Sequence, residues 1–364
     1  MQLALQLARR AAGQTSPNPM VGAVVVKVNR VIGQGYHRRA GLPHAEIEAL
    51  HRAGTAARHA TLYVTLEPCN HYGRTLPCCD AIIASGISHV VVASRDPNPI
   101  TNGRGLKRLR QAGIRVTTGI LEQQASILNA PFFKAMRTGL PWVIAKIGQS
   151  LDGRIATRTG QSRWITHPQA RRFGHRLRAQ VDAILVGCKT VQRDNPLLSA
   201  RISGARSDRP VKVVVDSHLH LSPTARCFSA RSAAASLVAT TVSASEKKRA
   251  WKRRGIEVLV LPARHGRVPL RALCRALVRR GLQSVLIEGG GEVLASAFEA
   301  RLVDRAILCV APILIGGRDT PGSIGGRGIS RLTQAIRLED VNIRRLGPDF
   351  CVEGKVVYPK RSDQ

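Results

Sequence analysis

The segment HAEIEALHRA (residues 44–53), the run TLYVTLEPC (61–69) and the pair Cys78-Cys79 decide how the first part of this chain is expected to fold. The first reads as a helix that His44 opens and that ends before Gly54. The second reads as a strand with Cys69 just past its carboxyl end, and a further helix follows Cys78. Strand ends and helix starts carry ligands in α/β sheets, so these three positions are expected to converge.

The three converging side chains predict a catalytic zinc site. One imidazole and two thiolates are the ligand set of a tetrahedral Zn²⁺ that keeps one position open for water. Glu46 lies two residues past His44 and suits proton transfer rather than metal binding. His-x-Glu followed by Pro-Cys and a second Cys is the pattern of zinc deaminases that act on amino-heterocycles. One departure stands out, because eight residues separate Cys69 from Cys78 where nucleoside deaminases usually have two.

Other interpretations of these residues are a closed structural zinc site or cysteines that are simply buried apolar side chains. A closed site needs a fourth protein ligand, whereas this pattern offers a carboxylate suited to acid–base work. Spacing alone leaves Cys78 and Cys79 both open as the second thiolate, and Cys78 is favoured. His44 and Cys78 fall at helix N-termini, where the partial positive charge and the nearby metal are expected to favour thiolate over thiol.

Length and composition bound the protein class. A chain of 364 residues with 44% apolar content fits two globular domains. No apolar run approaches 18 residues and Met1 leads directly into an amphipathic pattern, so we expect a cytoplasmic protein without a membrane anchor. In that compartment the eight cysteines are expected to be reduced or bound to metal.

The net charge of +33 raises nucleic acid as a partner. The basic residues are spread about evenly over both halves, however, and aromatic content is only 4%, which leaves few platforms for stacking unpaired bases. We therefore expect binding of phosphorylated small molecules and no functional nucleic-acid partner.

Further along the chain, apolar runs and helical patterns alternate. The predicted elements of the first half are a helix over 2–12, a hairpin over 21–28 and 31–36, strands over 88–93 and 114–118, and helices over 79–85 and 105–112. This alternation predicts a three-layer α/β sheet. A new sheet is expected to begin at 142–147, with further strands at 183–186, 211–215, 237–240, 258–261, 285–287 and 306–310 and helices at 270–280 and 292–300.

The second half contains no Gly-x-Gly-x-x-Gly after its first strand, which argues against a standard dinucleotide-binding fold. Gly289-Gly290-Gly291 does lie between a predicted strand and helix, where backbone amides can cradle a phosphate. Taken alone, the triple glycine favours a plain tight turn over a phosphate site.

Several short motifs are spread over nearly the whole chain. They are PNPMVG (17–22), HAE (44–46), TLEPCNHYGRT (65–75), PCC (77–79), Lys146 with SLDGR (150–154), WIT (164–166), DNPLL (194–198) and IEGG (287–290). In these motifs the chain resembles the bifunctional deaminase/reductase family of bacterial riboflavin biosynthesis.

The resemblance implies an α/β protein with a cytidine-deaminase-like three-layer αβα domain over 1–139 and a dihydrofolate-reductase-like α/β domain over 140–364. It implies zinc-dependent deamination of 2,5-diamino-6-ribosylamino-4(3H)-pyrimidinone 5′-phosphate. NADPH then reduces the ribosyl group, which gives 5-amino-6-ribitylamino-uracil 5′-phosphate. A homo-oligomer, either a dimer or a tetramer, is also expected.

Residue by residue, the resemblance assigns His44, Cys69 and Cys78 to zinc and Glu46 to proton donation. Asn18, His71 and Arg74 match substrate contacts in the deaminase pocket. The positions that match NADPH contacts are Gly148, Trp164, Thr190, Asp194, Ser217, Gly290, Gly291, Glu292, Val293, Leu294, Ala295 and Ser296. Those that match the reductase substrate are Ser162, Arg178, Leu198, Arg201 and Glu288, while Lys146 and Asp152 have no settled role.

The arginines at 178 and 201 also make physical sense as phosphate ligands, because a guanidinium binds phosphate oxygens in a bidentate fork. Any single arginine in so basic a chain could equally be a solvated surface residue. Two rival functions are a tRNA or other nucleic-acid base deaminase with an accessory domain, and a zinc-stabilised RNA-binding protein. The first leaves some 220 residues of α/β domain without a role, and the second leaves Glu46 unexplained as well.

Overall fold

The chain divides into two compact units, Met1–Gly139 and Leu140–Gln364, in a computed structural model. The structure describes residues 1–71, 77–203, 208, 210–229 and 234–360. Within these ranges, every helix is too short or too polar to cross a bilayer.

The first unit contains six α-helices and five strands among its described residues. The helices are α1 (Gln2–Arg9), α2 (Ala45–Ala53), α3 (Cys78–Ala84), α4 (Arg104–Gln111), α5 (Glu122–Leu128) and α6 (Ala130–Thr138). The strands are β1 (Gly22–Lys27), β2 (Arg30–Tyr36), β3 (Thr61–Leu66), β4 (His89–Ser94) and β5 (Arg115–Thr118).

These strands form one sheet in the order β2-β1-β3-β4-β5, antiparallel over the first three and parallel from β3 to β5. Alternation along β1 shows how the layers arise. Ala23 and Val25 pack with α2, α3 and α4 on one face, and Val24 packs with α1 on the other. The predicted three-layer α/β/α arrangement of the first half is confirmed.

Two glycines of β2 fix how closely α2 sits on the sheet. A Cβ atom at Gly33 would lie 2.2 Å from the backbone oxygen of Ala49, and one at Gly35 would lie 2.7 Å from that of Ala45. Only the absence of a side chain allows this approach. The start of α2, and with it His44, is therefore held by direct backbone packing.

The second unit is a larger α/β assembly. Its strands are β6 (Trp142–Ser150), β7 (Ala183–Gly187), β8 (Val211–Val215), β9 (Ser236–Thr240), β10 (Glu257–Val260), β11 (Ser284–Glu288), β12 (Arg305–Ala311), β13 (Arg337–Leu346) and β14 (Asp349–Val357). Its helices are α7 (Pro168–Gln180), α8 (Cys188–Asp194), α9 (Ser245–Lys252), α10 (Leu270–Arg279) and α11 (Gly291–Glu299).

The nine strands pair in the order β10-β9-β8-β7-β11-β6-β12-β14-β13. All are parallel as far as β12, and β14 and β13 continue the sheet antiparallel. Helices α10 and α11 cover one face, and α7 and α9 pack on the other. The predicted second α/β domain is confirmed, whereas its two closing strands and α7, α8 and α9 were not predicted.

Candidate functional site

The structure brings His44, Cys69 and Cys78 together at one edge of the first sheet. Their ligand atoms all lie within 4.8 Å of one another. Among the described residues, these three side chains form a cluster that could hold a metal ion. Nδ1 of His44 is 3.1 Å from the Cys78 sulfur and 3.6 Å from the Cys69 sulfur. His44 caps α2, Cys69 follows β3 and Cys78 opens α3, so the elements meet as the sequence predicts.

These three donors fit zinc in chemistry and in distance. Tetrahedral Zn²⁺ with nitrogen and sulfur ligands holds its ligand atoms roughly 3.5 Å apart. The two nitrogen–sulfur distances lie on either side of that value. Three protein donors also leave one tetrahedral position free, which is the arrangement of a catalytic site rather than a structural one.

Glu46 lies on the first turn of α2 beside the cluster and is 3% exposed. Burial raises the pKa of its carboxyl to about 7, although the charge of His44 works in the opposite direction. A carboxyl that gains and loses a proton near neutral pH can act as both acid and base.

The two thiols of the cluster ionise differently. The Cys78 thiol donates a hydrogen bond to Cys69 and lowers the pKa of Cys69 to about 4, while the pKa of Cys78 is raised by the same interaction. The backbone N–H of Cys78 also lies 3.3 Å from the Cys69 sulfur. Without a metal ion, the Cys78 amide and thiol therefore both stabilise negative charge on the Cys69 sulfur.

Cys79 points away from the cluster, although it is adjacent in sequence. Its thiol donates towards the backbone oxygens of Pro68, at 3.5 Å, and Gly105, at 3.7 Å. Burial raises its pKa to about 12, so it stays protonated at neutral pH.

The predicted pocket residues of the first unit are placed only in part. The side-chain amide of Asn18 is 3.1 Å from Nε2 of His37, which is buried and stacks edge-on against the His44 ring at 5.2 Å. His71 is exposed, and Arg74 lies outside the described residues. Sequence reasoning missed His37, because no local pattern ties it to His44.

Sequence analysis assigned Glu67 no role of its own, yet its buried carboxylate organises the segment that leads into α4. Oε2 accepts hydrogen bonds from the backbone N–H groups of Asp96, at 3.3 Å, and Gly103, at 3.0 Å. Oε1 accepts from those of Gly105, at 3.1 Å, and Leu106, at 3.4 Å. The residue two positions before Cys69 is thereby tied to the start of α4.

The second unit holds a cleft of about 1220 Å³. Its walls are the end of β6, one face of α7, α8 with the loop that follows it, the end of β8, and the turn from β11 into α11. This volume exceeds the roughly 300–1,000 Å³ of a typical small-molecule pocket.

All but one of the positions expected to contact coenzyme or substrate in this unit line that cleft. They are Gly148, Ser162, Trp164, Arg178, Thr190, Asp194, Leu198, Arg201, Ser217, Glu288, Gly290, Gly291, Glu292, Val293, Leu294 and Ser296. The exception is Ala295, which is 5% exposed and is not among the lining residues.

The triple glycine forms both a tight turn and part of the cleft wall. Gly289 and Gly290 have φ values of 75° and 79°, which favour glycine strongly. The backbone N–H groups at the start of α11 follow directly, and a helix N-terminus attracts anions. The two interpretations of this segment are therefore compatible, and the cleft fits a phosphate-bearing coenzyme.

Arg178 and Glu288, which both line the cleft, form a partly buried ion pair. Nε of Arg178 lies 3.2 and 3.1 Å from the two carboxylate oxygens, and Nη1 donates to the backbone oxygen of Ser199 at 3.2 Å. Burial works to raise the pKa of Glu288, but Arg178 and nearby Lys146 bring it below its usual value. Glu288 is therefore ionised at neutral pH.

Further charged residues line the cleft that sequence reasoning did not assign, among them Arg171, His175 and Arg226. Arg171, His175 and Arg178 share one face of α7 at helical spacing, which is a signal the sequence did contain. Lys146 also lines the cleft. Asp152 does not, because its carboxylate accepts the backbone N–H groups of Ile315, at 3.1 Å, and Gly316, at 2.7 Å.

Two family models match the chain. The model described as cytidine and deoxycytidylate deaminase zinc-binding region matches residues 1–94, and that of the RibD C-terminal domain matches residues 141–352.

Curated relatives match over nearly the full length. The riboflavin biosynthesis protein RibD of Escherichia coli is 42% identical over 363 residues, with 97% of each chain covered. That of Bacillus amyloliquefaciens is 43% identical over 350 residues, with 96% of this chain and 94% of the relative covered.

Solved structures agree with these matches. RibD of Acinetobacter baumannii gives a TM-score of 0.88 at 35% identity over 98% of this chain and 97% of that one. The diaminohydroxyphosphoribosylaminopyrimidine deaminase/5-amino-6-(5-phosphoribosylamino)uracil reductase of Thermotoga maritima gives 0.86 at 34% identity with the same coverage.

Proposed function

The chain belongs to the RibD family of bifunctional riboflavin biosynthesis enzymes, and on that premise we propose which of its residues carry each reaction. Its fold combines a cytidine-deaminase-like domain with a dihydrofolate-reductase-like domain. The protein is a zinc-dependent deaminase and an NADPH-dependent reductase. It hydrolytically deaminates the diaminopyrimidinone phosphate and then reduces the ribosyl group of the product to ribityl.

Deamination is proposed to take place in the unit over residues 1–139. His44, Cys69 and Cys78 would hold zinc, which supplies a Lewis acid that makes water nucleophilic at neutral pH. Glu46 would take the proton from the attacking water and deliver it to the departing amine, because its carboxyl titrates near neutral pH. The close approach of the three donor atoms is the observation that carries this assignment.

Around this centre, three substrate contacts are proposed. Asn18 would bind the pyrimidinone, since His37 orients its side-chain amide. His71 and Arg74 would bind the phosphate end of the substrate through charge and hydrogen bonding.

Reduction is proposed to take place in the unit over residues 140–364. The start of α11 would bind the coenzyme phosphates through backbone N–H groups. Arg178 and Arg201 would bind the substrate phosphate, and Glu288 would hold Arg178 in place. Because the coenzyme carries the hydride, these residues orient the two molecules and exclude water.

A homo-oligomer, dimer or tetramer, in the cytoplasm completes the proposal. Strand β13 lies at one edge of the nine-stranded sheet and exposes Val341 and Ile343. An exposed apolar edge strand is suited to pairing with a second copy. Sedimentation velocity should show a species larger than one chain, and Ile343→Lys should reduce its population.

The test of function is product identification. Purified protein is incubated with 2,5-diamino-6-ribosylamino-4(3H)-pyrimidinone 5′-phosphate, with and without NADPH, and products are resolved by mass. Without NADPH, the mass change should be that of an amino group replaced by a carbonyl oxygen. With NADPH, two hydrogens should be gained in addition. Reduction in the absence of any deaminated intermediate would contradict the proposed order.

A further inference from the structure

The ring of His175 ties α7 to the loop that carries Arg201. Nδ1 of His175 lies 3.2 Å from the backbone oxygen of Ser199, and the backbone N–H of Arg201 lies 3.4 Å from the same nitrogen. A carbonyl oxygen can only accept, so in the shorter contact Nδ1 carries the hydrogen, and the Arg201 N–H then lies near the ring without a hydrogen bond to it. Nε2 is then the nitrogen left to bind or release a proton.

This loop has a second anchor on the same helix. Nη1 of Arg178 donates to the backbone oxygen of Ser199 at 3.2 Å. Because His175 and Arg178 are three residues apart on α7, both reach the loop from one helix face. The backbone position from which Arg201 projects into the cleft is thus set by two side chains of α7.

Charged groups face His175 from each element packed against it. Arg178 lies on its own helix, Arg201 lies on the loop after α8, and Glu288 ends β11. Burial lowers the pKa of His175, the two arginines lower it further, and the Ser199 carbonyl and Glu288 act in the opposite direction.

The surrounding cluster carries an excess of positive charge. Arg226 lies beside Arg201, and Lys146 lies beside Glu288. In the part of the chain that the structure describes, Glu288 is paired with Arg178 and no carboxylate pairs with Arg201. The free cluster therefore disfavours a further cation at His175, and an arriving phosphate dianion reverses that preference.

We propose that His175 positions Arg201 in the free protein and becomes a cation when the substrate phosphate binds, so that a proton enters the pocket with the phosphate. The proposal rests on the proposed role of Arg201 and Arg178 in binding that phosphate. It makes His175 a positioning residue rather than a catalytic one.

Protonation of His175 and binding of phosphate are linked, which sets how phosphate affinity changes with pH. The His175 pKa is below its usual value in the free protein and is raised when the dianion is bound, so phosphate affinity falls as pH rises through the bound-state value. One proton limits this slope to about tenfold per pH unit. The second ionisation of the phosphate itself, near pKa ~6, acts oppositely, so the window above pH ~6.5 isolates His175.

The test measures how many protons the protein takes up when a phosphate ligand binds. The full chain, saturated with NADP⁺, is titrated with ribose 5-phosphate at pH 7 by calorimetry in buffers of different protonation enthalpy. Wild-type protein is compared with His175→Asn, which keeps an N–H group at the Nδ1 position but cannot titrate, and with His175→Ala, which removes both. Arg201→Ala tests the phosphate pocket itself.

Wild type should take up more protons than His175→Asn, with one proton as the upper limit, and the asparagine variant should bind more tightly than the alanine variant. In reductase assays the KM of His175→Asn should lose the wild-type rise above pH ~6.5 while kcat changes little. Equal proton uptake in wild type and His175→Asn would overturn the inference. Unchanged ribose 5-phosphate affinity in Arg201→Ala would instead overturn the phosphate pocket on which it rests.

Discussion

Replacing Glu67 with Gln should destabilise the first unit selectively. The substitution keeps the size of the side chain but exchanges one carboxylate oxygen for an NH₂ group. Whichever way the amide is turned, two of the four backbone N–H groups at Asp96, Gly103, Gly105 and Leu106 then face a donor. Because Glu67 is 3% exposed, water cannot take the place of the missing acceptor.

A hydrogen bond to a buried charged group contributes about 1.5–3 kcal/mol, so the loss of two predicts a fall of about 3–6 kcal/mol in the free energy of unfolding. With a urea dependence of about 1–3 kcal/mol per molar, the midpoint should fall by roughly 2 M. Glu48→Gln is the matched control, since Glu48 makes only surface ion pairs at 3.8 Å with Arg38 and Arg52. Such pairs contribute about 0–1 kcal/mol each.

The two units can be followed separately in the full chain. All three tryptophans, Trp142, Trp164 and Trp251, lie in the second unit, so their fluorescence reports its unfolding alone. Release of zinc to a colorimetric indicator reports the first. In Glu67→Gln the zinc-release midpoint should fall while the fluorescence midpoint stays. A zinc-release midpoint equal to that of Glu48→Gln would show that the carboxylate does not hold the loop.

Three further results are expected. Glu46→Gln should retain stoichiometric zinc by metal analysis and lose about 10²–10⁴-fold in deamination rate, because the proton carrier is gone while the donors remain; loss of zinc would refute its role. Cys78→Ser should lose zinc and Cys79→Ser should retain it, since the Cys79 thiol bonds to Pro68 and Gly105 instead. Chelation of the full-length enzyme should abolish deamination but leave reduction of supplied intermediate by NADPH intact, and chelator-sensitive reduction would contradict separate sites.

Local patterns in the sequence predicted the positions of His44, Cys69 and Cys78, because each marks the boundary of a helix or strand. Spacing could not decide between Cys78 and Cys79. Successive residues on a helix point about 100° apart, so one faces the cluster and the other the interior once α3 forms. The unequal pKa values of Cys69 and Cys78 could not be predicted from sequence, because they depend on a hydrogen bond between the two cysteines.

Long-range and highly charged features were harder to predict. Helix α7 is rich in arginine and β13 alternates weakly, so neither shows a clear apolar period. The pairing of Arg178 with Glu288 joins residues 110 positions apart. His175 and Arg226 enter the cleft only through the packing of α7 and of the turn at Arg226–Phe228.

The shared cleft of the second unit also constrains the kinetic order of reduction. Positions assigned to the coenzyme and to the substrate line one continuous space, so a bound molecule of either kind forms part of the wall that meets the other. Hydride transfer then requires a ternary complex, since both molecules must be present at once. Initial-rate lines at several fixed coenzyme concentrations therefore intersect, instead of running parallel as they would if each molecule reacted and left before the next one entered.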